Sequence, residues 1–161
     1  MAKLGRYSAD RKKIEAVSSD LTLKAADCGT IFMLGSGSAD YTITLPKLSG
    51  SSDNAGNGWW AKFTVQGGNG VAGPANTDDV IIRVPVGETA DLVNINVIAS
   101  QGSDTSFGVP VMISGSDGAL LDLSACQGAD TVELWTDSNR WYGQAIVSGT
   151  AACTKFDATD L

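Results

Sequence analysis

The sequence predicts an all-β protein: a single-domain antiparallel sandwich or barrel-like fold of about nine short strands with an extended N-terminal arm. Short runs of Val, Ile and Thr alternate with polar residues, which is the pattern of a strand with one buried face. Turn residues separate the runs roughly every 8–12 residues, and no stretch has the periodicity of a helix. The 161 residues, 19 of them glycine, are enough to enclose one core.

The clearest element is a β-hairpin over residues 131–147. Side chains alternate between two faces over residues 131–136, and the Asp-Ser-Asn sequence at 137–139 predicts the turn, because Asp and Asn tolerate the backbone conformations of a tight loop. A three-residue loop places Trp135 across from Trp141. Such a cross-strand aromatic pair contributes about 0.2–1 kcal/mol over alanine.

The other strands precede this hairpin along the chain. Between the first two, residues 25–29 predict a turn or helical corner in which Gly29 takes a positive φ. In a later strand Trp60 points away from the face of Trp59, either toward a partner or under the preceding loop. No sequence repeat is evident. The strand patterns cover residues 21–24, 30–34, 41–45, 59–65, 79–84, 92–98, 109–113 and 119–123.

The charge is unevenly distributed along the chain. Residues 1–13 carry five basic side chains against Asp10, a net charge of +4, whereas the remainder carries −11 of the total of −7. We predict a basic N-terminal arm over residues 1–20 and an all-β domain over residues 21–161. The arm is either a solvated terminus or a segment that docks on an acidic protein surface. The acidic body and the lack of a basic and aromatic patch argue against a nucleic-acid partner. The arm's basic residues are Lys3, Arg6, Arg11, Lys12 and Lys13.

The composition excludes several kinds of chemistry. The chain has no histidine, which removes the Ser-His-Asp and Cys-His nucleophile systems and all histidine metal sites. Cys28, Cys126 and Cys153 lack the spacing of a zinc or redox motif, and they are either buried free thiols or one disulfide with a spare thiol. No secretory signal is evident, and no stretch has the roughly 20 apolar residues of a membrane helix, so we predict a soluble protein without a membrane partner.

The acidic residues do not form a convincing active site. Glycoside hydrolysis needs only two carboxylates, but most acids here, such as Asp53, Asp104 and Asp117, lie in turn sequences beside Gly, Ser or Asn. Glu133 is the exception, since it lies within a strand near a tryptophan. A calcium site needs more closely spaced oxygen ligands. We therefore predict no enzyme, no bound metal and no cofactor.

Several segments resemble the virion proteins of tailed bacteriophages, in particular the capsid decoration (cement) and fibre-head modules of marine phages. Residues 23–34 resemble their opening strand, corner and strand, residues 41–46 their strand ending in Leu-Pro, and residues 132–142 their closing hairpin. Residues 1–13 resemble the start of such a protein, whereas residues 66–130 depart from the pattern.

This resemblance implies a virion structural protein without catalytic residues. The protein would be made in the host cytoplasm, bind the major capsid protein on the outer surface of the phage head as a homotrimer, and stabilise the shell. Capsid contact is assigned to the basic arm. The alternative is a phage fibre or receptor-binding module that recognises carbohydrate through exposed aromatic rings. Trp60 and Tyr142 form the candidate partner surface, and Trp59, Trp135 and Trp141 are further candidate rings.

Overall fold

The computed structural model describes residues 12–37, 39–48, 54–67, 79–85, 93–99, 111–114, 120–123, 127–147 and 154–156. These residues contain twelve strands and a single 3-10 turn, Ala25–Asp27, so the all-β class is confirmed. The strands are β1 Lys13–Val17, β2 Leu21–Thr22, β3 Thr30–Leu34, β4 Tyr41–Thr44, β5 Trp60–Val65, β6 Val80–Arg83, β7 Val93–Ala99, β8 Val111–Ser114, β9 Leu120–Leu123, β10 Thr131–Thr136, β11 Trp141–Val147 and β12 Thr154–Phe156.

The strands form two sheets that enclose one hydrophobic core. Sheet A has the order β1-β3-β5-β10-β11-β7-β8, and sheet B has the order β12-β9-β6-β4-β2. The buried faces of both sheets contribute to one continuous cluster of apolar side chains, in which Phe32, Trp141 and Leu134 come from sheet A and Ile43 and Ile82 from sheet B.

The first six strands alternate between the two sheets. β1, β3 and β5 pair in parallel in sheet A, and β2, β4 and β6 pair in parallel in sheet B. Each turn of the chain therefore adds one strand to each sheet, as in a solenoid. Because the chain crosses to the opposite sheet after every strand, the next strand of the same sheet starts from the same end.

A purely antiparallel arrangement, as predicted from the sequence, is wrong. Of the ten strand pairings in the described residues, five are parallel and five antiparallel. The strand patterns themselves were placed correctly, but period-two alternation carries no information about the direction of the neighbouring strand. Two strands, β1 and β12, were not predicted.

The predicted alternation of buried and outward side chains is confirmed in the central strands. Tyr41 and Ile43 of β4 are buried, as are Ala61 and Phe63 of β5. Phe63 lies in register with Phe32 of β3, and the two rings stack with centroids 5.5 Å apart. Aromatic pairs of this kind contribute about 0.5–1.5 kcal/mol beyond the burial of their area.

The region assigned to the basic arm, residues 1–20, contributes a strand to the fold. Residues 13–17 form β1, the strand at one edge of sheet A in the described part of the chain, and Val17 is buried against the core. This strand was not predicted, because the charged residues Lys13 and Glu15 interrupt the alternation of apolar and polar residues. A separate arm can thus include no more than residues 1–12.

Cys28 also differs from the expectation of a buried thiol. It follows the 3-10 turn directly, where its backbone N–H bonds to the carbonyl of Ala25 at 3.2 Å, and its free side chain is exposed. The turn places it at a corner between strands rather than on a buried face. The other two cysteines, Cys126 and Cys153, lie outside the described residues.

Gly143 is a position in β11 where the packing leaves no room for a side chain. A Cβ atom there would lie 2.7 Å from the Glu133 carbonyl oxygen and 2.5 Å from Cδ2 of Leu134. Real Cβ atoms do not approach backbone so closely, and the carbonyl is fixed by the pairing of β10 with β11. The absent side chain therefore makes room for Leu134 in the core.

We expect Gly143→Ala to lower the free energy of unfolding by about 1–3 kcal/mol, the usual cost of overpacking a core. Urea denaturation followed by tryptophan fluorescence measures this loss. Gln144→Ala is the matched control, because Gln144 is the next residue of β11 and is exposed. Equal stability of Gly143→Ala and the unmodified chain would contradict this account of the packing.

Candidate binding surface

Three aromatic side chains lie side by side on the outer face of sheet A. Trp60 of β5 is in register with Trp135 of β10, and Trp135 is in register with Tyr142 of β11. We call these three residues the aromatic row. Trp135 is 41% exposed, and Trp60 and Tyr142 are half-buried. The two residues predicted as a partner surface, Trp60 and Tyr142, are thus brought onto one face, with Trp135 between them.

The predicted pairing of Trp135 with Trp141 is wrong. The hairpin pairs Thr136 with Trp141, which leaves a connection of residues 137–140 instead of the three-residue loop expected. Because successive side chains point to opposite faces, a shift of one residue moves Trp141 to the other face of the sheet. There it is fully buried and meets Trp59 edge-to-face, with ring centroids 5.3 Å apart.

The hairpin turn fixes the position of the Tyr142 ring. Asp137 accepts hydrogen bonds from the backbone N–H groups of Asn139 and Arg140 through Oδ1, both at 2.9 Å. Its other oxygen, Oδ2, accepts a hydrogen bond from the Tyr142 hydroxyl at 3.0 Å. The residue with the left-handed backbone is Ser138, with φ of 75°, rather than Asp137 or Asn139.

These hydrogen bonds shift the pKa values of Asp137 and Tyr142 in opposite directions. The N–H groups of Asn139 and Arg140 favour the ionised carboxylate, and they lower the pKa of Asp137 from its ordinary value. The hydrogen bond to Asp137 favours the protonated phenol and raises the pKa of Tyr142. At neutral pH the pair is therefore a phenol donating to a carboxylate, which orients the ring.

Trp60, at the other end of the aromatic row, packs beside a glycine. The N–H of Gly29 donates to the Trp60 carbonyl at 2.8 Å. A Cβ atom on Gly29 would lie 3.7 Å from Cζ2 of the Trp60 indole, so the ring lies against bare backbone. Gly29 has the positive φ predicted from the sequence, 80°.

A row of polar side chains runs beside the aromatic row on the same face. Lys62 of β5 is in register with Glu133 of β10, which in turn is in register with Gln144 of β11 and, beyond it, Asn96 of β7. We call these four residues the polar row. Glu133, Gln144 and Asn96 are exposed, and Lys62 is half-buried. Ile146 lies one row further and is 52% exposed.

The structure places two of the five basic residues predicted for capsid contact. Lys12 is exposed, whereas Lys13 belongs to β1, and its Nζ lies 2.8 Å from Glu15 Oε1 and 3.4 Å from Asp27 Oδ1. The hydrogen bond to Glu15 raises the pKa of Lys13. Its ammonium is therefore paired with two carboxylates of the fold while its side chain stays half exposed, and its contact with a capsid stays a prediction. Lys3, Arg6 and Arg11 lie outside the described residues.

The outer face of sheet B has a polar depression of about 400 Å³, lined by Asp20, Leu21, Thr22, Thr42, Thr44 and Arg83. The acids near it have structural roles. Asp20 accepts a hydrogen bond from the N–H of Thr42 at 2.8 Å, and Asp40 accepts one from the N–H of Asp79 at 2.9 Å. Each carboxylate thus ties one turn of the solenoid to the next.

Two further findings concern the described part of the chain alone. Within it, no three Cys, Asp or Glu side chains are grouped so that they could hold a metal ion. The described residues also contain no helix with the length and apolar character needed to cross a membrane.

The two tryptophans of the hairpin should differ in their effect on stability. We expect Trp141→Ala to lower the free energy of unfolding by about 3–5 kcal/mol, as for large buried aromatics. Trp135→Ala should cost about 1 kcal/mol or less, because the ring is exposed and contributes mainly through its cross-strand neighbours.

Urea denaturation measures both values, and Trp141→Phe is a useful third variant. The Trp141 indole N–H is buried without a hydrogen-bond partner in the described structure, so Phe keeps an aromatic ring while removing an unpaired donor. It should be more stable than Trp141→Ala. Similar losses for Trp135→Ala and Trp141→Ala would contradict the register of the hairpin.

The Tyr142 pKa should depend on Asp137. We expect Asp137→Ala to bring the raised pKa of Tyr142 down toward its ordinary value, because the acceptor is lost. In the unmodified chain, this bond stabilises the fold below the pH at which an unfolded tyrosine titrates, and the contribution is lost as pH rises through the folded-state pKa. The pKa of Asp137 is lower in the folded protein than in the unfolded chain. Its hydrogen bonds therefore stabilise the fold at pH values above the pKa of the unfolded chain, and this contribution is lost as pH falls through the pKa of the folded protein.

The ¹³C resonance of Tyr142 Cζ, followed during a pH titration, reports the phenol directly. Asp137→Asn is the control, since it keeps an oxygen acceptor for the turn but removes the negative charge. An unchanged Tyr142 pKa in Asp137→Ala would show that the hydroxyl contact does not persist in solution.

Comparisons of the chain with protein-family models, with curated protein sequences and with solved structures found no match. The resemblance to phage virion proteins therefore rests on the sequence segments quoted above and stays a prediction.

Proposed function

We propose that the chain is a viral structural protein: a capsid decoration (cement) protein that binds the major capsid protein on the outer surface of a phage head and stabilises the shell. The proposal takes the chain as one sandwich domain with a basic arm. It draws support from the sequence resemblance, whose segments correspond to β3, β4 and the β10–β11 hairpin, all within the described structure. These elements contribute to the same hydrophobic core.

The observation that carries the proposal is the separation of charge between the arm and the body. Lys13 lies in β1, where its ammonium contacts Glu15 and Asp27, and the other basic residues of the arm precede it in the sequence. β1 is the edge strand of sheet A among the described residues, so the sequence of the arm continues into a strand at a margin of the sheet. An acidic body is repelled by an acidic shell, whereas a basic arm is attracted to it.

The strength of this attachment depends on the number of contacts. Each exposed ion pair contributes only about 0–1 kcal/mol, so one arm holds the protein weakly. A closed homotrimer presents three arms to neighbouring capsid subunits, and linked contacts raise the overall affinity without any new interaction. The proposal therefore includes a trimer on the shell.

The test uses particles of the virus that encodes the chain. Cryo-electron microscopy of intact particles should show trimers of this protein on the outside of the head. We further expect deletion of residues 2–11 to leave the thermal unfolding of the β domain unchanged but to weaken rebinding to particles that lack the protein. The loss should be largest at low ionic strength, because at 0.15 M salt the Debye length is only about 8 Å.

A full-length variant with Lys3→Gln, Arg6→Gln and Arg11→Gln is the matched control, because it removes the charge and keeps the length of the arm. It should bind as weakly as the deletion, and light scattering should give a trimer for both. Density on the tail instead of the head would overturn the proposal. Equal rebinding of all three proteins at every ionic strength would remove the arm from the contact.

A further inference from the structure

The outer face of sheet A carries an unusual combination of side chains for a solvent-facing sheet. Its aromatic row crosses three neighbouring strands, β5, β10 and β11, without interruption. Two steps between neighbouring strands, of about 4.8 Å each, give the row a length of roughly 10 Å. The length of the row matches a short extended chain of flat rings.

The aromatic row is positioned before any ligand arrives. The hydrogen bond from its hydroxyl to Asp137 holds the Tyr142 ring, and Trp60 packs against the bare backbone at Gly29. Trp135 is the central ring and the most exposed of the three. Fixed rings bind at a smaller cost in conformational entropy than free ones, because less motion is lost on binding.

The polar row beside the aromatic row supplies hydrogen-bonding groups without net charge. Lys62 and Glu133 are opposite charges in register, and Gln144 and Asn96 are amides that both donate and accept. Such a set matches a ligand with many hydroxyl groups. The row has one cationic and one anionic side chain in register, so its net charge is zero, which favours an uncharged ligand over an ion.

The distribution of exposed apolar side chains argues against a protein partner on this face. The exposed large apolar residues among those described are Ile14, Trp135 and Ile146, which lie on three different strands. On β10 and β11, Glu133 and Gln144 separate the aromatic row from Ile146. The core of a protein interface is instead a continuous patch depleted of charged residues.

We propose that the aromatic row and the polar row form a binding site for an extended, uncharged oligosaccharide. The apolar faces of successive pyranose rings stack on Tyr142, Trp135 and Trp60, and the hydroxyl groups at the ring edges bond to the side chains of the polar row. The chain of sugars crosses the strands of sheet A. This site includes none of the basic residues of the arm and does not depend on the function proposed above.

The test is isothermal titration of the full chain with cellohexaose, xylohexaose, mannohexaose, laminarihexaose and chitohexaose, with hexagalacturonic acid as the charged comparison. We expect at least one uncharged hexasaccharide to bind and to shift the tryptophan fluorescence. Trp135→Ala should weaken that binding about tenfold or more. Tyr142→Phe, which keeps the ring but loses the bond to Asp137, should weaken it by less than Tyr142→Ala.

Ile146→Ala is the control on the same face, because Ile146 is exposed but lies beyond the polar row; it should leave sugar binding unchanged. Deletion of residues 2–11 should also leave it unchanged, which separates this site from attachment to a capsid. Circular dichroism checks that each variant is folded.

Three outcomes would overturn the proposal. The first is no binding of any uncharged hexasaccharide, and the second is binding that Trp135→Ala does not weaken. The third is that Trp135→Ala, without affecting any sugar, changes the oligomeric state or the attachment to particles, which would make this face a protein interface. The first outcome includes the case in which hexagalacturonic acid alone binds, which would exclude the uncharged class of ligand.

Discussion

The parallel register between successive turns of the chain is the constraint on which the rest of the structure depends. It repeats the same contacts one strand further along: Gly35 N–H bonds to the Val17 carbonyl, and Gln66 N–H bonds to the Leu34 carbonyl, both at 2.8 Å. In-register pairing also stacks like residues, as with Phe32 and Phe63, because parallel strands in register place paired side chains on the same face. The carboxylate of Asp20, bonded to the next turn, holds the alignment at the start of β2.

The β10–β11 hairpin extends sheet A beyond the three strands that the winding contributes, and it supplies much of the outer face of that sheet. β10 pairs antiparallel with β5, the last strand that the winding adds to sheet A, and β11 pairs in parallel with β7. The composition of the outer face therefore depends on the length of one turn. If the same sequence formed a three-residue turn, Trp141 would lie opposite Trp135 in place of Tyr142. The hydrogen bond between the Tyr142 hydroxyl and the Asp137 carboxylate would then be lost.

The sequence allowed the strands to be located but not their neighbours to be identified. Alternation gave the buried faces of β4 and β5, and turn chemistry gave the positive φ of Gly29, because both signals are local. Parallel pairing joins residues far apart in the chain, and its trace is weak: Leu21-Thr22-Leu23 lies in register with Ile43-Thr44-Leu45, a match of only three residues. In the candidate site, Trp60 and Tyr142 were recognised as outward aromatics. The role of Trp135 between them required the register of two strand pairs, which no single segment contains.

The charges of β1 affect how readily another strand could pair with this edge of the described sheet. A solenoid grows by adding strands to an open edge, and an edge with unpaired backbone groups is also a template for strands from other molecules. Lys13 and Glu15 are in register with the buried residues Thr30 and Phe32, so their charges sit on the core side of the edge strand. A further strand paired with β1 would remove water from this ion pair, and that desolvation would cost free energy. Among the described strands, β1 therefore carries at the edge of sheet A charged side chains that oppose pairing with a strand from another molecule.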